Sequence, residues 1–267
     1  MVSLTQVKRS TLALLDEPVH VSKHTPSLGM SEIGHSCTRY LWFKFRWAYT
    51  GSFPSRMIRL FNRGHREEDV VIKLLTDIGY EVSGAQNKVI TGFGHVKGFC
   101  DGEVKGVIEA PKTTHILEIK AVNDRAFKEF LKKGTKVARP QYFAQCQLYM
   151  HHFGRTRTLF VVVNKNDDSI YIERIKYDKN VAFTLNRRAE GIILAESPPP
   201  KAYSATWFVC KYCDARHICH EGIHWNENCR TCSFVEPSPG GNWHCNVSGE
   251  IIDYSQQLKG CDKYETI

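Results

Sequence analysis

The sequence predicts an α/β protein in which a mixed central sheet is flanked by helices and followed by a cysteine-rich extension. Three observations support this class: helical spacing of apolar residues before position 79, a Val-, Ile- and Gly-rich region over 80–122 typical of successive strands, and a concentration of cysteine after position 200. The chain has 267 residues, of which 42% are hydrophobic and 24% charged. These values are ordinary for one large globular core with appendages.

The net charge of the chain favours a polyanionic partner. It is +8 at pH 7, which suits nucleic acid. No apolar run approaches the roughly 18 residues that a membrane helix needs, so we expect no membrane contact. The apolar centre of the N-terminal stretch is short for a signal peptide, and we therefore expect a cytoplasmic protein, in the host cytoplasm if it is phage-encoded.

The first 80 residues contain two predicted helices. Residues 1–60 are expected to form an N-terminal helical segment, because a polar start leads into the aromatic, basic stretch "CTRYLWFKFRWAY". The following stretch, "GHREEDVVIKLLTDIGY", places its apolar residues three and four apart, and Gly79 provides a stop signal. The apolar residues of this second helix are Val70, Val71, Leu74, Leu75 and Ile78.

The predicted core occupies residues 61–200. After the strands of 80–122, "DRAFKEFLKKGTKVARPQYFAQCQLYMHHFG" is expected to form two helices separated by a loop around Gly134 to Pro140. "RTLFVVVNKNDDSIYIERIKY" predicts a strand, an Asn/Asp turn and a second strand. Residues 180–196 predict one more helix, ended by "SPPP".

Charged residues interrupt the strand predicted in "THILEIKAVND". Side chains alternate along a strand, so Glu118 and Lys120 point to the same face. Asp101 lies near a preceding strand end, although Asp101–Gly102 is also a common hairpin turn. If Asp101 and Glu118 meet on neighbouring strands, their carboxylates repel unless a cation lies between them. A hard ion such as Mg²⁺ or Mn²⁺ prefers such oxygen ligands, and Lys120 could orient a water or stabilise charge on a phosphate.

These residues resemble the PD-(D/E)XK nuclease signature. Asp101, Glu118 and Lys120 stand at its acid, acid and lysine positions, and Cys100 replaces the proline of the name. The resemblance implies a restriction-endonuclease-like core. It also implies that Asp101, Glu118 and the backbone carbonyl of Ile119 hold one or two divalent ions.

Two further motifs are similar to the RecB-like and lambda-exonuclease-like branch of that superfamily. "PQYFAQCQLYM" carries Gln145 and Tyr149 in a Q-x-x-x-Y arrangement, which places both side chains on one helix face. "RGHREED" resembles the first motif of the branch and makes Glu68 its acidic residue. The apolar stripe of this helix centres nearer Glu67, so Glu67 and His65 stay open as alternatives.

Ten cysteines without a secretory signal favour metal binding over disulfides. Cys100 and Cys146 lie in patterned segments and are predicted to be small core residues. Over 201–224, "WFVCKYCDARHICH" offers three closely spaced thiols, and either His220 or a distant cysteine could complete the set. With Cys37 the arrangement resembles the iron–sulfur staple of AddB-type helicase–nucleases and CRISPR-associated adaptation nucleases, which implies a [4Fe–4S] cluster; zinc is the rival. The implied cluster ligands are Cys37, Cys210, Cys213 and Cys219.

The last segment, 225–267, is predicted to be a small zinc-binding module, since its four cysteines have ribbon-like spacing. It is similar to a short cysteine module appended to some phage nucleases. His244 could replace Cys245 as a ligand, and His220 or His224 could join either metal site. The predicted Zn²⁺ ligands are Cys229, Cys232, Cys245 and Cys261.

A basic run lies between the catalytic lysine and the Gln–Tyr helix, and it is either a solvated face or a track for a nucleic-acid backbone. It comprises Lys128, Lys132, Lys133, Lys136 and Arg139. The resemblance implies a metal-dependent DNA exonuclease that resects ends in recombination, repair or phage DNA processing. No G-x-x-x-x-G-K-[ST] motif is present, so unwinding would need a helicase partner; a single-strand annealing protein is the other expected partner. The alternatives are a non-catalytic DNA-binding accessory protein that retains the fold and an iron–sulfur redox protein.

Overall fold

The computed structural model describes residues 10, 11, 15, 20, 21 and 24–267. The N-terminal stretch on which the signal-peptide expectation rests lies largely outside these residues. Within them, no helix is both long and apolar enough to cross a bilayer. The α-helices are α1 (Thr38–Phe45), α2 (Ser55–Asp77), α3 (Asp124–Ala138), α4 (Pro140–His152), α5 (Lys179–Leu194), α6 (Phe208–Lys211), α7 (Arg216–His220) and α8 (Tyr254–Gln257). The strands are β1 (His20–Val21), β2 (Leu28–Gly29), β3 (Ser52–Phe53), β4 (Glu81–Ser83), β5 (Asn87–Thr91), β6 (Val96–Cys100), β7 (Gly102–Lys105), β8 (His115–Val122), β9 (Arg157–Asn164), β10 (Ile170–Lys176), β11 (Val235–Ser238), β12 (Asn242–Cys245) and β13 (Glu250–Ile252).

The central sheet has five strands in the order β10-β9-β8-β7-β4. Strands β8 and β9 are parallel, with Leu117 opposite Leu159, and the other pairs are antiparallel. A parallel pair needs a long crossover, and α3 and α4 supply it. The predicted mixed α/β class is therefore confirmed.

The two faces of β8 pack against different helices. Leu117 and Ile119 join a small core with Val71 and Leu75 of α2. Ile116 belongs instead to the larger core on the other face, which includes α4. Because side chains alternate, Glu118 and Lys120 point away from α2 and toward the α4 side.

Two sequence expectations about element boundaries need correction. Helix α2 begins at Ser55, so the expected segment boundary at residue 60 falls inside a continuous helix. The predicted loop around Gly134 to Pro140 is wrong, since α3 continues to Ala138 with one break at Gly134, where φ is 68°. Glycine tolerates this left-handed conformation, and Pro140 opens α4 directly because a helix start needs no N–H there.

Asp101 lies at a junction between two sheets. Strand β6 belongs to a three-stranded sheet ordered β2-β6-β5 and ends at Cys100. The chain then enters the central sheet at Gly102, which pairs with Leu117 of β8. The alternative interpretation of Asp101–Gly102 as a hairpin turn is therefore wrong, because the flanking strands do not pair with each other.

The C-terminal segment packs on the main core. Its sheet, β11-β12-β13, contributes Val235, Trp243 and Ile252 to the same apolar cluster as Leu41 and Trp42 of α1. Trp243 is fully buried and its ring lies 5.1 Å from that of Phe45. The segment thus shares its core with the rest of the chain. Cys100 and Cys146 are both fully buried, as predicted.

Candidate active site

Glu118 and Lys120 form an ion pair on one face of β8. The Lys120 ammonium contacts Oε1 of Glu118, as expected from their alternation along the strand. The Glu118 side chain is completely buried; its Oε1 is ion-paired with Lys120, whereas its Oε2 has no hydrogen-bond partner among the described residues. A buried carboxylate oxygen without a hydrogen bond is costly, so another ligand for Oε2 would relieve that cost.

Asp101 is held against the same strand by a backbone contact. The amide N–H of Ile119 donates to Asp101 Oδ2 at 2.7 Å, and the Asp101 side chain is buried. This bond ties the carboxyl of Asp101 to the residue between Glu118 and Lys120. The first acid, the second acid and the lysine of the motif therefore meet at one point of the sheet.

The structure distinguishes among the acidic candidates on α2. Glu68 contacts His65, with 3.5 Å between Oε1 and Nδ1. Burial raises the pKa of Glu68, and the charge of the nearby Asp101 raises it further. Glu67 instead pairs with Arg63 at 3.5 Å. Glu68 and His65 thus lie beside the other acids, whereas Glu67 points elsewhere.

Gln145 and Tyr149 approach the site from α4. Gln145 Nε2 donates to the Tyr149 hydroxyl at 3.3 Å, and that hydroxyl donates to the Phe99 carbonyl at 2.7 Å. Both side chains are almost fully buried. One open cavity of about 570 Å³ is lined by five of the six predicted catalytic residues, namely Glu68, Asp101, Lys120, Gln145 and Tyr149. The sixth, Glu118, is buried next to the cavity in contact with Lys120.

The cavity also includes residues that the sequence did not single out for this site. Lys44 and Lys97 line it, and the Lys120 ammonium lies 5.6 Å from the ring centre of Tyr142. Lys44 forms an ion pair with Glu32, another residue of the wall. No local pattern marks these residues, because they come from separate elements that meet only through folding.

All three carboxyl groups of the site have a raised pKa. Burial raises the pKa of Glu118 to about 8, and the neighbouring Asp101 charge adds to this. Burial also raises the pKa of Asp101 and of Glu68. Burial alone would lower the pKa of Lys120, but Glu118 and Asp101 outweigh it and raise that pKa, so the amine stays protonated. One ammonium among three carboxyls leaves the site short of positive charge.

A hard divalent cation fits this donor set. Carboxylate oxygens suit Mg²⁺ or Mn²⁺, and the unpartnered Oε2 of Glu118 is available as a ligand. Over the described residues, no group of three or more His, Cys, Asp or Glu side chains already has the spacing of a metal site.

The first cysteine set is drawn together from distant parts of the chain. Burial raises the pKa of Cys213 to about 11, and the charges of Cys37 and Cys210 contribute. The pKa of Cys210 is raised by burial and by Cys37 and Cys219. Cys37, at the N-terminus of α1, thus lies beside the segment that carries the other three thiols.

The second cysteine set surrounds one small apolar cavity. Cys229, Cys232, Cys245 and Cys261 all line it. Burial raises the pKa of Cys229 to about 11, and the charges of the other three thiols add to the shift. His244 of β12 instead contacts Asn246, at 2.9 Å from Nδ1 to Oδ1.

The basic run on α3 is mostly a solvated face. Lys128 pairs with Asp124 at 2.7 Å and Lys133 with Glu129 at 3.0 Å, each one helical turn apart. Trp42 and Phe43 of α1 are buried in the core. Of these two segments, α1 contributes Lys44 to the cavity wall.

Comparisons with known proteins give weak likenesses only. No family model matches the sequence, and no curated protein matches it. An alkaline exonuclease from Laribacter hongkongensis, whose structure is also known in complex with dAMP, is 17% identical, with 63% of this chain and 87% of that one covered and a TM-score of 0.46. A phage-related exonuclease from Haemophilus somnus 129PT is 14% identical, with 64% and 92% covered and a TM-score of 0.46.

Proposed function

We propose that this chain is a divalent-metal-dependent deoxyribonuclease with a PD-(D/E)XK core, and that it acts as an exonuclease. The observation that supports this most is the set of three carboxyl groups with raised pKa values around a single protonated lysine, at the edge of an open cavity. Such a constellation favours a cation-assisted reaction on an anionic substrate.

Each residue of the constellation has a proposed role. Asp101, Glu118 and the Ile119 carbonyl, helped by Glu68, would hold Mg²⁺ or Mn²⁺. The bound ion would supply Lewis-acid polarisation of the phosphoryl group and favour ionisation of the attacking water. Lys120 is protonated, so it would orient that water and stabilise developing charge as a donor, and it would not serve as a base.

Gln145 and Tyr149 would position the substrate. The Tyr149 hydroxyl is committed to the Phe99 carbonyl, which fixes the ring beside the cavity. Gln145 lies on the same helix face and borders the cavity, so its amide could contact the DNA strand or Lys120. A fixed donor beside the scissile bond aids catalysis mainly by orientation.

DNA is the proposed substrate because the chain is basic and the cavity wall carries Lys44 and Lys97. The exonuclease assignment, and a role in recombination, repair or phage DNA processing, rest on the motif resemblance to the RecB-like and lambda-exonuclease-like branch. A single-strand annealing protein or a helicase as partner stays a prediction.

Two further metal centres belong to the proposal. Cys37, Cys210, Cys213 and Cys219 would hold a [4Fe–4S] cluster, since four thiolates suit it and since Cys37 lies beside the others. The four thiols of the C-terminal cavity would hold a structural Zn²⁺. The proposed cluster would join Cys37 to a segment far along the sequence, whereas the proposed zinc site would hold the C-terminal segment together.

The test is digestion of end-labelled DNA with Mg²⁺ or Mn²⁺. We expect nucleotide release from ends by the wild type and a loss of about 100-fold or more in Lys120→Met. Lys133→Met is the matched control, because it removes a surface lysine that is also paired with a glutamate. Equal digestion by wild type and Lys120→Met would refute the mechanism, and DNA binding without cleavage would favour a non-catalytic accessory protein.

A further inference from the structure

The segment Thr25–Glu32 forms one wall of the proposed catalytic cavity. Thr25, Pro26, Ser27, Gly29, Ser31 and Glu32 all line it. Part of this segment is β2, which pairs with β6, and the Leu28 amide donates to the His95 carbonyl at 2.8 Å. We call this segment together with the preceding His24, residues 24–32, the cleft wall. Its position determines the width of the cavity opposite Asp101 and Lys120.

Three successive backbone carbonyls at the start of the cleft wall accept side-chain hydrogen bonds. The Tyr254 hydroxyl donates to the His24 carbonyl, Trp47 Nε1 to the Thr25 carbonyl and Arg230 Nη2 to the Pro26 carbonyl, each at 2.9 Å. Two of these three donors belong to the C-terminal cysteine segment. The wall is thus attached to a part of the chain more than 200 residues away.

Arg230 is itself held rigidly. Its guanidinium lies 3.7 Å from the ring centre of Trp47 and 4.5 Å from that of Trp243, and the side chain is buried. Its Nε donates to Gln257 Oε1 at 2.9 Å, and its Nη1 donates to the Phe45 carbonyl at 3.1 Å. A planar guanidinium that lies against two aromatic rings has little freedom to move. The Pro26 carbonyl therefore accepts its hydrogen bond from a donor that is already held in position.

Both donors depend on the second cysteine set. Arg230 lies between Cys229 and Cys232, and Cys229 Sγ contacts the Gln256 and Lys259 carbonyls at 3.3 and 3.1 Å, next to the helix that carries Tyr254. The two donors are therefore carried by backbone that the cysteine set contacts directly. Packed interiors transmit strain, so a shift in these contacts can reach the donors.

We propose that Arg230 and Tyr254 are positioning residues that couple the metal state of the C-terminal cysteine set to the cleft wall and thereby to substrate binding. The expected effect on substrate binding rests on the proposed function. The coupling between the C-terminal cysteine segment and the cleft wall rests on the contacts alone. Neither residue touches Asp101, Glu118 or Lys120, so the coupling alters binding and leaves the chemical step intact.

The test compares Tyr254→Phe with Tyr264→Phe. The first removes only the hydroxyl that reaches the cleft wall. The second removes a hydroxyl that contacts Thr231 inside the cysteine segment, at 3.2 Å from its Oγ1. We expect amides of the cleft wall, Leu28 above all, to exchange hydrogen about two- to tenfold faster in Tyr254→Phe, with KM for DNA raised by a similar factor and kcat within about twofold. Tyr264→Phe should leave wall exchange and KM unchanged.

Two further variants extend the test. Arg230→Lys should increase exchange of the same amides by more, because an ammonium cannot reproduce the stacked fork. Cys261→Ser changes an exposed ligand of the proposed zinc site and should also speed exchange of the cleft wall. Equal effects of the two tyrosine variants, or a Cys261→Ser protein with unchanged wall exchange, would overturn the coupling. Hydrogen exchange tests the coupling between the cysteine set and the cleft wall even if the chain cleaves no DNA.

Discussion

Variants of the two partners in the buried Glu118–Lys120 ion pair should affect the unfolding free energy and the cleavage rate differently. In Lys120→Met the nearly isosteric side chain keeps its apolar contacts, but Glu118 loses its ammonium and stays fully buried. Glu118 must then remain ionised without a counter-charge or take up a proton, and either outcome costs free energy. Breaking a buried pair by removing one partner typically costs about 3–5 kcal/mol of unfolding free energy.

Glu118→Gln should behave in the opposite way. It removes one of three mutually repelling carboxyls, and the Lys120 ammonium retains Asp101 as a neighbour. We expect a change in unfolding free energy within about 1 kcal/mol of zero, of either sign, because replacing a poorly satisfied buried charge is often neutral or stabilising. The double variant should recover most of the loss of Lys120→Met, which gives a coupling free energy of about 3 kcal/mol.

The assay is urea unfolding at pH 9, above the raised pKa of Glu118 so that the pair is ionised, without added Mg²⁺ and with the cleavage assay run in parallel. Glu118→Gln should be as stable as the wild type and yet lose about 100-fold or more of its cleavage rate. Lys133→Met, which breaks a surface pair, should change the unfolding free energy by less than about 0.5 kcal/mol. The reasoning fails if Glu118→Gln destabilises the protein as much as Lys120→Met, or if the double variant shows no coupling.

The remaining predictions concern metal binding and orientation. The proposed cation binding needs the ionised form of Glu118, and burial raises the pKa of this group to about 8. Calorimetry should therefore show that Mn²⁺ affinity falls by about tenfold per pH unit as the pH drops below that value. An affinity that stays constant between pH 6 and 8 would contradict this. Tyr149→Phe removes the donor to the Phe99 carbonyl and should lower both the unfolding free energy, by about 1 kcal/mol, and kcat; an unchanged kcat would exclude an orienting role. By elemental analysis, Cys245→Ser should lose about one zinc per chain and keep its iron, and Cys210→Ser should do the reverse; loss of both metals in either variant would contradict two separate centres.

The sequence predicted the local part of the site because local geometry follows from residue spacing. Alternation along a strand was sufficient to place Glu118 and Lys120 on one face, and the ion pair confirms it. Helical spacing likewise brought Gln145 within hydrogen-bond distance of Tyr149. Element types were also readable, whereas boundaries such as the loop around Gly134 were wrong, since the helix resumes after a single left-handed glycine.

Tertiary packing decided which local surfaces meet. The apolar stripe of α2 could not separate Glu67 from Glu68; only the packing of α2 on β8 shows that Glu68 lies near Asp101. The junction of two sheets at Asp101 and the bonds from Arg230 and Tyr254 to the cleft wall left no periodic signal in the sequence.

The sequence by itself therefore determined an α/β chain with a carboxylate–lysine strand, a Gln–Tyr helix face and two cysteine groups. The folded structure alone decided that two buried carboxyls and the half-buried Glu68 lie around one ammonium, and that the C-terminal segment holds a wall of the same cavity. The physical reason is the range of the interactions: periodicity acts over a few residues, but burial, charge and shared cores join residues that are far apart in the chain.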